Sequence, residues 1–146
     1  MSRLPLTIEE LRRMAIENPY SLKNVDKTMY EPLLMAEAIK EAGHVVYNGL
    51  RDRTDIIWRG RGITGEAMRA LWQIPAMVEI FDTQALLGDA ELTDKALKGL
   101  EDVVRITQRL KATYPDMADD IDELRDAIVA LRERFPQGAD IKMLPK

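Results

Sequence analysis

A chain of 146 residues without cysteine is long enough for one core of ordinary size, and it excludes disulfides, thiol nucleophiles and thiolate-built zinc sites. Its balance of 46% apolar and 32% charged residues is that of a folded globular protein, and no apolar run approaches the length of a membrane span. The net charge of −4 is uneven, with 11 Lys/Arg against 10 Asp/Glu in residues 1–72 and 10 against 15 in residues 73–146, so an acidic second half argues against wrapping nucleic acid. These features predict a single domain over residues 1–146 in a cytoplasmic protein, with no membrane segment and no nucleic-acid partner.

Thr7-Ile8-Glu9-Glu10 has the pattern of a capping box, predicting a helix over about 8–17 that Asn18-Pro19 stops. Pro32 suits the first turn of the next helix, which carries Leu34, Met35, Ala38, Ile39 and Ala42 on one face. Beyond Gly43 two readings compete. Either the helix continues through Val45, Val46 and Leu50, or Gly43 caps it and residues 44–58 form a short hairpin turning at Asn48-Gly49. The long helix is preferred, because an isolated two-stranded hairpin is marginal in water.

Residues 51–65 form a connection rich in arginine and glycine. From about residue 66 a four-and-three rhythm resumes at Ala67, Leu71, Ile74, Val78, Phe81 and Ala85. Pro75 lies beside this stripe, where it should kink the helix or begin a new one. Gly88 reads as a C-terminal cap and Asp89 as the start of the next helix.

The clearest pattern is last. Leu92, Ala96, Gly99, Val103, Ile106 and Leu110 form one stripe, and Met117, Ile121, Leu124, Ile128, Leu131 and Phe135 another. Folding the chain at Tyr114-Pro115-Asp116 pairs them as an antiparallel helical hairpin, 89–113 with 116–135, in which Gly99 faces Ile128 and Val103 faces Leu124. Leu97, Leu100 and Val104 offer a second apolar face to residues 66–87. The expected fold is therefore all-α, a bundle of four to five helices.

Three groups of residues invite a functional reading. Gly60-Arg61-Gly62-Ile63-Thr64-Gly65 has the glycine spacing of a dinucleotide-binding turn, with Asp82 near the place of a ribose-binding acid. The residues from Met77 to Phe81 before that acid fit a helical stripe rather than a strand, so the simpler reading is a glycine-rich lead into a helix. Arg51, Arg53, Arg59 and Arg61, with Gly60, Gly62 and Gly65, could still bracket a helix N-terminus and hold a small anion such as phosphate. A solvated loop paired through Asp52 and Asp55 is the plainer alternative.

Glu41-x-x-His44 is half of the carboxylate-histidine motif of metal-binding bundles, but His44 is the only histidine and Gly43 interrupts the pair. The acidic run from Asp116 to Asp126 lacks the spacing of a calcium loop and suits the positive end of a helix. With no recognisable nucleophile and base, the inventory points away from catalytic residues of its own and implies no particular cofactor. Trp72, Met77 and Ile80 lie off the main stripe of their helix and read as a partner surface, the alternative being a second core face within the bundle. The sequence thus favours a helical interaction or assembly protein, binding a protein partner or itself as a homo-oligomer. Its alternatives are a protein or enzyme binding a small anionic ligand at the Arg/Gly loop and, third, a metal-binding bundle.

Overall fold

The computed structural model describes residues 27–53, 61–87 and 90–135, with side chains described for 31–53, 61–82 and 91–135. The predicted capping box at Thr7, the helix over 8–17, and the Gly88 and Asp89 caps lie outside these residues. Within them the chain forms α1 (Lys27–Arg53), α2 (Gly62–Trp72), α3 (Ile74–Leu87), α4 (Ala90–Gln108) and α5 (Ala118–Arg134), with 3-10 turns at Arg109–Ala112 and Pro115–Met117. No strand occurs among the described residues. The fold is an all-α helical bundle.

Contacts at the helix ends fix the topology. Arg53, at the end of α1, meets Asp116 ahead of α5, while Arg134, at the end of α5, reaches Glu31 near the start of α1 at 4.0 Å. Thr64 and Glu66 of α2 meet Tyr114 and Arg109 at the turn after α4. Arg132 of α5 donates to Asp94 of α4 at 2.7 Å, and Lys111 pairs with Asp122 at the other end of the same hairpin. Four rods therefore run alternately up and down: α1, α2 with α3, α4 and α5. Each packs antiparallel on its neighbours in chain order, and α1 closes the square against α5, where the most extensive interhelical contact lies.

The second rod is broken at Gln73. Pro75 has no N–H to give the Leu71 carbonyl, and its ring would crowd that oxygen, so the helix ends at Trp72 and restarts at Ile74. The Met77 amide bonds the Gln73 carbonyl at 3.1 Å as the first bond of the new helix. Ala67, Leu71, Ile74, Val78 and Phe81 are all buried across the break, so the predicted stripe survives it.

On α5 the expected stripe is complete: Met117, Ile121, Leu124, Ile128, Leu131 and Phe135 are buried. On α4 it is rotated. Thr93, Leu97, Leu100 and Thr107 lie at the centre of the buried face with Ala96, Val103 and Leu110, whereas Leu92 is 39% exposed. A β-carbon on Gly99 would lie 2.5 Å from the Met77 sulfur, which places Gly99 against α3 rather than opposite Ile128. The reason is that α4 packs against both the α2/α3 rod and α5, and its apolar face must be wide enough for both. The buried Thr107 is reconciled with the core because its hydroxyl donates to the Val103 carbonyl at 2.8 Å.

Other boundaries also move. α1 begins at Lys27, so Pro32 lies inside the helix rather than in its first turn. Its continuity to Arg53 settles the fork at Gly43 in favour of the long helix. α2 starts at Gly62, four residues before the expected point, with Arg61 extended at φ −119° and ψ 149° and Gly62 at φ +60°, a value that favours glycine. The hairpin helices end in 3-10 turns rather than continuing to residue 113 or starting at 116.

Candidate interaction groove

Helix-interior glycine costs about 1 kcal/mol relative to alanine, so Gly43 needs a compensating contact. It has one: a β-carbon there would lie 2.6 Å from Ile74 Cδ1, at the start of α3. α1 and the second rod thus approach closely at Gly43 and Ile74, immediately beside the Gln73 break. Where the broken rod turns, a groove of about 570 Å³ opens between it and α1.

The floor and walls are Gly43, Tyr47, Leu71, Trp72, Ile74, Pro75 and Ala76, and the rim carries Lys40, Glu41, His44, Asn48 and Arg51. Leu71 and Ile74 are committed to the core beneath. Trp72 is 72% exposed, and its ring lies 5.6 Å from that of Tyr47 with the planes tilted at 47°. The break produces this exposure: Leu71 and Ile74 both turn inward, and the residues between them must point out. Val45, at 48% exposure, is one turn of α1 from Glu41 and from Asn48. Ile80, at 46%, is one turn of α3 beyond Ala76.

The residues expected at a partner surface are thus divided. Trp72 and Ile80 are exposed, while Met77 is half-buried and packs against the core with its sulfur over Gly99. Tyr47 was not anticipated. Its signal lay in the long-helix reading of α1, which sets it one turn from Gly43 and one from Arg51.

Glu41 and His44 are exposed on one face of α1, both at the groove rim. Among the described residues no group of three or more His, Asp or Glu side chains is placed to hold a metal ion.

The arginine set is only partly within the described residues, since Arg59 and Gly60 lie outside them. Arg51 is at the groove and pairs with Asp52 at 3.6 Å. Arg53 donates from Nε to Asp116 at 2.8 Å and from a terminal nitrogen to the same carboxylate at 2.6 Å, and it also bonds the Gly49 carbonyl. Its role here is to tie α1 to the hairpin turn. Arg61 precedes α2 and accepts the Gly65 amide on its carbonyl at 2.8 Å; Gly62 is exposed and Gly65 buried. Asp82 is fully buried within α3, not at the end of a strand, so the dinucleotide arrangement is absent from the described residues.

Charge elsewhere serves the frame. Asp94 is held below the ordinary carboxylate range chiefly by the hydrogen bond from Arg132 and next by Lys98, against a smaller opposing effect of burial. Asp122 is lowered in the same way by Lys111, with Gln108 and Arg125 adding to it. These two carboxylates join α5 to α4 near its opposite ends.

Compared with protein-family models, with curated proteins and with solved structures, the chain finds no match. No helix among the described residues is long and apolar enough to cross a membrane.

Proposed function

We propose that this chain is a non-catalytic helical interaction or assembly protein whose docking face is the groove between α1 and the α2/α3 break. The observation that carries the reading is Trp72. Tryptophan is highly buried on average and recurs at the energetic centres of protein interfaces, yet here it is 72% exposed beside a second aromatic ring and an apolar groove. The surrounding frame is closed by ion pairs and packed side chains, so a rigid surface is presented at little entropic cost.

A photo-crosslinking amino acid at Ala76, in the groove wall, tests this in the cell of origin. The expected result is a discrete covalent adduct that is lost when Trp72→Ser is added. The same probe at exposed Glu133 on α5 should give none. Absence of any adduct at Ala76, or equal adducts at both positions, overturns the reading.

A further inference from the structure

We infer that the groove receives an acidic segment of a partner protein, with one large apolar side chain seated on Trp72 and carboxylates to either side of it; the inference rests on the reading of the groove as a docking face. Its basis is how the turn of α1 sorts the charges along the groove. Lys40, His44, Tyr47 and Arg51 recur at steps of four, three and four, so they share one face of the helix over about 16 Å. All four line the groove, and each ends in a group that can donate a hydrogen bond. Glu41 and Asp52 each follow a cation by one position, which turns them about 100° further round α1. Glu41 therefore stands with Asn48 on the outer edge of the groove, and Asp52 beyond it. The facing wall of Trp72, Pro75 and Ala76 carries no charge.

This order selects among partners. A basic segment laid along α1 meets a cation at each end of the groove. Single-stranded nucleic acid carries a charge on every unit, whereas here two cations stand about 16 Å apart with aromatic surface between them, in a chain of net charge −4. A peptide suits that spacing, because its carboxylates can be set apart by an uncharged anchor. Tyr47, whose ring lies beside Trp72, is about 10 Å along the helix axis from Lys40 and about 6 Å from Arg51. On a partner helix laid along α1 the same distances are seven and four residues, which return to one face. Neither cation has to be idle for this. Lys40 pairs with Glu37 at 3.6 Å at the surface, a contact that costs little to exchange. Arg51 holds Asp52 and makes a further interaction, and its guanidinium has several N–H donors to share.

Three polymers serve as probes: a random copolymer of Glu with a minority of Tyr, the matching copolymer of Lys and Tyr, and poly-Glu. Each is titrated into the full-length chain carrying Trp58→Phe, so that tryptophan-selective fluorescence reports Trp72 alone. The Glu/Tyr copolymer should shift the Trp72 emission to saturation, less tightly as salt is added, and the Lys/Tyr copolymer should not. Poly-Glu, which lacks the anchor, should bind about fivefold or more weakly. Lys40→Glu should weaken binding of the Glu/Tyr copolymer by about fivefold or more, and Glu41→Lys should tighten it by about twofold or more. Those opposite signs are the mark of an acidic ligand in this groove. Arg51→Glu should act as Lys40→Glu does, but its other contacts leave the decision to Lys40 and Glu41. Melting followed by circular dichroism shows that the variants fold. No saturable shift with the Glu/Tyr copolymer, equal binding of the Lys/Tyr copolymer, or charge changes without effect overturn the inference. So does oligothymidylate that binds with this charge dependence where the Glu/Tyr copolymer does not, which assigns the groove to nucleic acid. In the cell, an adduct at Ala76 that Lys40→Glu leaves unchanged overturns the acidic partner while keeping the docking face; no adduct at all overturns both.

Discussion

The Met77 sulfur lies 2.5 Å from where a β-carbon on Gly99 would stand, so α3 rests directly on the backbone of α4 at that point. Gly43 does the same for Ile74 at 2.6 Å, but the two contacts differ in what can yield. Met77 is half-buried with three rotatable bonds, whereas Ile74 is β-branched and 1% exposed. Gly99→Ala should therefore be close to neutral, the gain of about 1 kcal/mol in helix propensity offsetting a small shift of Met77. Gly43→Ala should destabilise by about 1 to 2 kcal/mol despite the same propensity gain, and Gly99→Leu by about 1 to 3 kcal/mol. Urea unfolding of the three variants checks the order, and a Gly43→Ala variant more stable than wild type would refute it.

Phe81 and Trp72 make the opposite comparison. Phe81 is fully buried and meets Phe135 edge-on at 5.3 Å, closing α3 against the end of α5. Phe81→Ala should cost about 3 to 5 kcal/mol. Trp72→Ser should change the stability of a dissociated chain by less than about 1 kcal/mol, because most of its surface is already in water. Measured at concentrations too low for association, equal losses from both would show that Trp72 belongs to the core.

Much of this frame was legible beforehand, and the reason is the number of neighbours each helix has on each side. The α5 stripe from Met117 to Phe135 was read without error, because outside that stripe Val129 is the one large apolar residue of α5. The α4 stripe was read a step out of place: the second apolar face of Leu97, Leu100 and Val104 was read for residues 66–87, but with Leu92 and Ile106 also apolar the sequence could not show that the centre of the buried face runs through Leu97 and Leu100 rather than through Leu92 and Gly99. Buried Thr93 and Thr107 gave no apolar signal at all. The groove was half-visible: Trp72 and Ile80 stood off the main stripe, but Met77 did too, and only the approach of α3 to Gly99 distinguishes it. The arginines looked alike in sequence, yet Arg53 is held by Asp116, 63 positions away along the chain.

That pair carries a test of the alternative anion site. Arg53→Gln should cost about 0.5 to 1 kcal/mol by freeing the end of α1 from the hairpin turn, and Asp116→Asn should cost nearly the same. The double variant should be little worse than either, since both remove one interaction. Additive losses in this cycle would show that Arg53 and Asp116 act separately.

Acid should loosen the hairpin first. The folded-state pKa values of Asp94 and Asp122 are lowered by Arg132 and Lys111 respectively, so each contributes stability that is present above the ordinary carboxylate value and lost as pH falls through the lowered one. The contribution should be flat from about pH 5 to 8 and decline below about pH 4. Asp94→Asn removes one of these titrations. It should lower stability at pH 7, where Arg132 keeps only Glu101 as a charged partner at 3.2 Å, and should make the fall below pH 4 shallower than in wild type. Because Asp94 is near the surface and screened by solvent, the loss at pH 7 should be modest and should shrink further in high salt. Denaturant midpoints measured at half-unit steps from pH 2.5 to 7, at two ionic strengths, decide the matter. A variant whose acid limb is as steep as that of wild type would mean that carboxylates other than Asp94 set the acid sensitivity of the bundle.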